Sequence, residues 1–270
     1  MKIILITGAG SGIGYETAVL LKAQGHRVYG GIRSRQAAEK LTQSGILPIE
    51  LDIADERQCK QAVQRIMEKD QRIDVLINNA GYGLFGAVED IEISEAKYQF
   101  DVNLFGAARL IQLALPSMRE RKSGKIINIS SVGGRMVSYM GAWYHASKYA
   151  VEAFSDALRM EVSDFGIDVV LIEPGGAKTN WWETATKNMA CRSKGGAYEK
   201  AAGKAAAGMM KLYGNRLMSQ PAVIAKAVGK AVGARKPKTR YVVGFGGKPL
   251  LFLHFILPAK CYDWVMKHAI

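Results

Sequence analysis

Tyr144 and Lys148 lie four residues apart in Tyr144-His145-Ala146-Ser147-Lys148. A helix beginning there puts both side chains on one face. A free phenol, with a pKa near ~10, exchanges protons poorly at neutral pH. A neighbouring ammonium and a cationic cofactor ring, such as an oxidised nicotinamide, both favour the phenolate and lower that value, which would make Tyr144 a usable acid/base for an alcohol or carbonyl oxygen. Ser131 can donate a second hydrogen bond to the same oxygen, an oxyanion-type stabilisation. A Tyr-Lys pair at this spacing is also common as surface decoration, so it has to be read with its neighbours.

Upstream, Thr7-Gly8-Ala9-Gly10-Ser11-Gly12-Ile13-Gly14 follows an apolar run and opens a helix. Glycines there permit a tight turn and let the backbone approach a pyrophosphate, which the free N–H groups and dipole of the helix N-terminus attract. The end of the next strand-like run selects the nucleotide. NAD enzymes place an acid there for the ribose hydroxyls, but Tyr29-Gly30-Gly31-Ile32-Arg33-Ser34-Arg35 contains none. Arg33 is positioned to pair with a 2′-phosphate, with Arg35 as a helper, so NADP is the expected cofactor.

Positioning these groups requires a scaffold. Short apolar runs without polar alternation occur at Ile3 to Thr7, Arg27 to Gly31, Leu47 to Leu51, Val75 to Asn78, Lys125 to Ser130 and Asp168 to Glu173. Such runs suit parallel strands buried on both faces. Amphipathic helices, among them Tyr15 to Gln24 and Arg57 to Lys69, separate them. The alternation predicts an α/β fold with a doubly wound parallel sheet, a Rossmann fold. The 270 residues fit a single domain, with a dinucleotide-binding and catalytic core over 1–180 and a substrate lid and C-terminal segment over 181–270. That last part is expected to be a largely helical appendage on the substrate side. It includes a helical Ala/Gly/Lys-rich stretch from Lys194 to Lys211, a helix from about Pro221 to Ala234, and a last strand from Arg240 to Val243.

In order along the chain stand the glycine loop, Asn78-Asn79-Ala80-Gly81, Ile129-Ser130-Ser131 and the Tyr-Lys pair. Together they resemble the short-chain dehydrogenase/reductase family over nearly all of Ile3 to Thr179. The resemblance implies Tyr144 as acid/base and Lys148 as the group that binds the nicotinamide ribose and depresses the phenol pKa. It implies Ser131 as the holder of the substrate oxygen, because thirteen residues separate it from the tyrosine, the family's usual spacing. Asn103 matches the asparagine that anchors a proton-relay water. Gly8, Ser11, Gly12, Ile13 and Gly14 would cradle the pyrophosphate. Asp52 would bind the adenine amine, and Asn79, Ala80 and Gly81 would border the adenosine ribose. Pro174, Gly175 and Thr179 match the turn that orients the carboxamide. Many NADP members carry a basic residue where Ser11 stands here, so the preference for NADP would rest largely on Arg33.

Ser131 to Gly134, Leu171-Ile172-Glu173-Pro174-Gly175 and Lys236 to Tyr241 look like the hydroxysteroid-, retinol- and aldehyde-reducing branch, close to bacterial NADP-dependent aldehyde reductases. Trp181, Trp182, Met189, Met209 and Met210 would line an apolar pocket or lid, which favours a hydrophobic aldehyde or ketone over a sugar. The alternatives are a hydroxysteroid or retinol-type dehydrogenase using NAD(P) oxidatively, and a nucleotide sensor without turnover. Intact Ser131, Tyr144 and Lys148 argue against the sensor.

The global numbers narrow the classes further. Net charge is +13, but the basic residues are dispersed and no nucleic-acid motif accompanies them, so no nucleic-acid partner is expected. Cys59, Cys191 and Cys261 form no disulfide framework, and with no signal peptide read at the N-terminus this fits a reducing cytoplasm. His26, His145, His254 and His268 form no ligand cluster, so no metal is expected. Ala150, Val151, Phe154, Ala157, Leu158 and Val162 supply more apolar surface than one sheet-facing stripe needs, which predicts a homodimer or homotetramer. The tail from Pro249 to Pro258 is about half a membrane span and too apolar to lie bare. It is expected to touch either a membrane surface or the partner subunit, the alternative being that it packs over the protein's own core.

Overall fold

The computed structural model describes residues 1–179 and 181–268. Its strands are β1 (Ile3–Thr7), β2 (Arg27–Ile32), β3 (Leu47–Glu50), β4 (Val75–Asn78), β5 (Gly124–Ile129), β6 (Ile167–Pro174) and β7 (Arg240–Val243). They form one sheet in the order β3-β2-β1-β4-β5-β6-β7, parallel throughout. Every strand expected from the sequence is present, with ends within one residue. The order reverses between β1 and β4, where the chain leaves one half of the sheet and starts the other. In doubly wound folds the crevice at that reversal, beyond the strands' C-terminal ends, is where ligands bind.

Helices cover both faces. On one, α3 (Glu56–Asp70), α5 (Gly106–Glu120) and α6 (Ala142–Val162) pack Ile66, Leu110, Met118 and Leu158 against Ile3, Leu5, Leu76 and Ile126. On the other, α1 (Gly12–Ala23), α2 (Arg35–Gln43) and α9 (Pro221–Gly233) pack Leu21, Leu41, Ile224 and Val228 against Ile4, Ile6, Ile77 and Ile127. Alternate residues of one strand therefore feed two cores, which is why the strands carry no polar alternation.

β7 belongs to this sheet and α9 to this core. The appended elements are therefore α7 (Trp181–Arg192) with α8 (Glu199–Tyr213), and α10 (Gly247–Ile256) with α11 (Ala259–His268). The sequence reading left α7 and α11 without boundaries. The remaining helix, α4 (Ile93–Phe100), runs into a wide π-helical turn at Asp101–Phe105 before α5. Among the described residues no helix is long and apolar enough to cross a membrane.

Candidate active site

The nucleotide cradle is built where β1 and β4 end. Gly8 and Gly12 have φ of +65° and +53°, a left-handed backbone that favours glycine. A Cβ on Gly14 would run into the Gly8 carbonyl and come within 2.5 Å of Asn79 Nδ2. Asn79 Nδ2 donates to the carbonyls of Thr7 and Gly8 at 2.9 and 3.2 Å. Thr7 Oγ1 accepts from the amides of Asn79 and Ala80, both at 2.9 Å. Buried Thr7 thus stitches the two loops together, a role its sequence position alone did not reveal.

The first turn of α1 holds no acid, and Ser11 caps it in an extended conformation without a side-chain cap bond. The amides of that turn are left for an anion. Ile13, in that first turn, is partly buried against the core. Thr179 faces the loop from the far side, its Cγ2 3.4 Å from where a Gly12 Cβ would sit. Pro174 ends β6 and Gly175 follows it, the Gly175 amide donating to Val243 O at 2.8 Å. These contacts form a glycine-lined cradle with an unopposed helix N-terminus, and they fit a dinucleotide pyrophosphate.

The residues assigned to the cofactor's adenosine end need one correction. Arg33, expected to face no acid, lies with Nη1 3.7 Å from Asp52 Oδ2. The register of β2 against β3 sets Ile32 beside Glu50, which brings the two strand-end residues together. Arg33 is 69% exposed, so this pair is worth only ~0–1 kcal/mol, and the guanidinium remains available to a phosphate. Arg35 instead reaches along α2 to Glu39 at 3.4 Å.

The candidate catalytic residues gather around the start of α6. Asn103 sits on the π-helical turn and is buried; its Nδ2 donates to Tyr82 O at 3.0 Å and to Ser147 Oγ at 2.9 Å. Its Oδ1 accepts from the Tyr82 amide at 3.0 Å. Lys148 Nζ donates to the Ile129 carbonyl at 2.9 Å. A Cβ placed on Gly81 would lie 3.1 Å from Asn103 Oδ1 and 3.7 Å from Lys148 Nζ, so the three residues lie together. Ser131 caps the short turn Val132–Gly134, accepting from the Gly133 amide at 3.0 Å. A Gly133 Cβ would be 3.2 Å from Tyr144 Cε1, which puts the phenol against the serine turn. His145 is neutral and structural: Nε2 accepts from the Ser138 amide, and Nδ1 donates to Gly133 O at 2.8 Å.

Burial dominates the titration of both members of the Tyr-Lys pair. Burial pushes the Tyr144 phenol up to about 12, and only the Ser131 hydroxyl pulls it back. Burial also brings Lys148 down to about 8, against a smaller opposing pull from Glu152. The Lys148 ammonium is directed at the Ile129 carbonyl.

An aromatic wall closes over the phenol. Phe85 and Trp181 lie 5.2 and 5.0 Å from the Tyr144 ring, centroid to centroid. Trp182 follows at 4.3 Å from Trp181 and stacks on Tyr213 at 3.4 Å. Met189 and Met209 are buried in this cluster with Ala185 and Ala206. Met210 corrects the reading: it is 43% exposed and points away, one position around α8 from Met209.

The sequence reading also missed an ion cluster beneath the site. Arg240 Nε contacts Glu152 Oε2 and Glu173 Oε1, both at 3.1 Å, and its Nη2 contacts Asp156. Arg135 reaches Glu173 at 3.2 Å. Glu173 in an otherwise apolar strand, and Glu152 one turn beyond Lys148, were the available signals.

Comparison with known proteins agrees with this geometry. Residues 2–190 match the family model described as short chain dehydrogenase. A probable short-chain type dehydrogenase/reductase, VdlC, of Helicobacter pylori is 39% identical over 97% of this chain and 96% of its own. A 3-ketodihydrosphingosine reductase of Bacteroides thetaiotaomicron is 45% identical over 67% of this chain and 65% of its own. An NADPH-dependent 3-dehydrocapnine reductase of Ornithobacterium rhinotracheale is 32% identical over 97% and 95%. The crystal structure of a short-chain dehydrogenase from Streptomyces avermitilis superposes with a TM-score of 0.81 at 33% identity, covering 94% of this chain and 92% of that one. With its glycine cradle, its serine turn and its Tyr-Lys helix in one parallel sheet, this chain belongs to the short-chain dehydrogenase/reductase family of oxidoreductases.

Proposed function

We propose that the protein reduces a ketone or aldehyde borne on an apolar chain, with NADPH as cofactor and Tyr144 as proton donor. The observation that carries this reading is the phenol itself, buried beside Ser131 and Lys148 under an aromatic wall. With its pKa raised to about 12, Tyr144 rests as the protonated donor that reduction requires. The bound cofactor supplies the hydride. Ser131 Oγ donates a hydrogen bond to the carbonyl oxygen, and Tyr144 Oη transfers its proton as negative charge develops there. Lys148, with its pKa near 8, can restore that proton near neutrality. Asn103 braces the helix by holding Ser147, whose hydroxyl donates to the Tyr144 carbonyl at 2.8 Å. Trp181, Trp182, Phe85 and Met189 would receive the apolar part of the substrate.

Two relatives favour the same direction and position, being named as reductases of a 3-keto and a 3-dehydro compound, one of them NADPH-dependent. Arg33 is the residue that would recognise the 2′-phosphate. The reading includes self-association through α6, whose outer side exposes Tyr149 and Met160 beside Ala153 and Ala157; a monomer in light scattering at micromolar concentration would remove that part. The central test is NADPH oxidation with long-chain 3-ketones, hydrophobic aldehydes and sugars. Turnover of the first two classes, lost in Tyr144→Phe, is expected. Turnover of sugars alone, or full activity in that variant, would overturn the reading.

A further inference from the structure

The two C-terminal helices present an apolar, cationic face that the protein's own core does not use. Inward, Leu251 and Leu257 join Tyr262 and Met266 against Val132 and Met136. Tyr262 Oη donates to Val137 O at 2.8 Å. The pair is thereby fixed on the loop that begins at the substrate-holding Ser131. Outward, α10 carries Phe252, Phe255 and Ile256 at helical spacing, 64%, 86% and 50% exposed. α11 carries Trp264, 64% exposed, one turn from exposed Lys260 and Lys267.

We propose that this α10–α11 face docks the enzyme on an anionic lipid bilayer, lying in the plane of the surface. Ten residues of α10 extend only ~15 Å, about half the hydrocarbon thickness, so the helix lies along the interface rather than across it. Aromatic and aliphatic side chains facing outward between lysines are the composition of an interfacial helix. The charges choose the occupant. Lys248, Lys260 and Lys267 oppose a single acid, Asp263, across 247–268, in a chain of net charge +13. A second copy meeting this face about a two-fold axis would bring two such cationic surfaces together. Anionic headgroups neutralise them instead. Placement on the Ser131 loop also sets the substrate pocket beside the layer that would hold an apolar-chain ketone; only that link to substrate rests on the proposed function.

The test uses the full chain with vesicles of phosphatidylcholine alone or mixed equally with phosphatidylserine. The wild type is expected to co-sediment with the mixed vesicles at low salt and to be released by high salt. Joint replacement Phe252→Ser, Phe255→Ser and Trp264→Ser should weaken binding at least about tenfold, and Lys260→Glu with Lys267→Glu should abolish the salt-sensitive part. Both variants should retain wild-type activity on a soluble aldehyde, a readout that reports separately on the reductase reading and on folding. Absence of wild-type binding, or equal binding by all three proteins, would overturn the proposal. So would a shift from dimer to monomer in the serine variant with no vesicle binding by the wild type, since that result assigns the face to a second copy.

Discussion

The indole of Trp181 lies across the phenol of Tyr144, with ring centroids 5.0 Å apart and planes at 61°. Gly83 makes room for it, because a Cβ there would run into the indole and come within 2.5 Å of Trp181 Cη2. The first residue of α7 is thus in contact with the proposed proton donor, and under the proposed function it forms the wall that an apolar substrate would meet. Trp181→Ala is expected to raise KM for long-chain ketones about tenfold to a hundredfold, the worth of a lost large apolar contact. Its kcat should change little, as for removal of uniform binding. Gly83→Ala should shift the same parameter by displacing the indole. Unchanged KM for apolar ketones in both variants would show that substrate does not touch this wall.

How far the sequence disclosed this site follows from the range of the interactions. The glycine loop, Asn79, Ser131, Tyr144 and Lys148 were legible because each sits at a strand end or helix start marked by local pattern, and the sheet then gathers those ends. The strands themselves were legible because residues such as Ile3 and Ile4 feed opposite cores and leave no polar alternation. Trp181 over Tyr144 was not, since it depends on how α7 returns across the sheet. The Arg33–Asp52 pair required the register of β2 on β3. The direction of the Tyr144 shift required burial, and a four-residue spacing carries no information about burial.

That direction makes a kinetic prediction. With the phenol at about 12 and the ammonium at about 8, Tyr144 stays protonated through the working range while Lys148 loses its proton as pH rises through its own value. Carbonyl reduction should therefore decline on the alkaline side with an apparent pKa nearer 8 than 12. Lys148→Met should abolish that limb, and Tyr144→Phe should lower the rate ~10²- to 10⁴-fold at every pH. Profiles of kcat/KM against pH for the three proteins provide the check. An alkaline limb that survives unchanged in Lys148→Met would assign the titration elsewhere.

Cofactor choice can be tested at the end of β2. Arg33 is mostly exposed and only loosely held by Asp52, so it can turn to a 2′-phosphate at little cost. A charge-assisted contact of ~1.5–3 kcal/mol corresponds to about tenfold to a hundredfold selectivity. Arg33→Ala should lose that factor in kcat/KM for NADPH and leave NADH nearly unaffected, while Asp52→Asn should preserve the NADPH preference. Equal use of both cofactors by the wild type and Arg33→Ala would refute the assignment.

The remaining prediction concerns Arg240, which ties the catalytic helix to the strand that ends at the Pro174-Gly175 turn. Its guanidinium contacts Glu152 and Asp156 on α6 and Glu173 on β6, two of these three acids being nearly or fully buried. Removing one partner of a buried ion pair leaves an uncompensated charge and costs ~3–5 kcal/mol. Arg240 is 26% exposed and Arg135 remains on Glu173, so Arg240→Met should fall at the lower end, ~3 kcal/mol. Burial already raises the Glu152 pKa, with Arg240 among the groups opposing the rise. Without Arg240 the folded-state value moves higher still above the unfolded one. The folded protein then takes up a proton as pH falls, and the destabilisation shrinks toward the unfolded pKa. Urea melts of wild type and Arg240→Met should therefore differ more at pH ~8 than at pH ~5. Arg240→Lys should recover part of the loss, since a point charge can meet one carboxylate but not bridge three. A stability difference that is independent of pH would mean that the guanidinium acts by packing and not by compensating the buried acids.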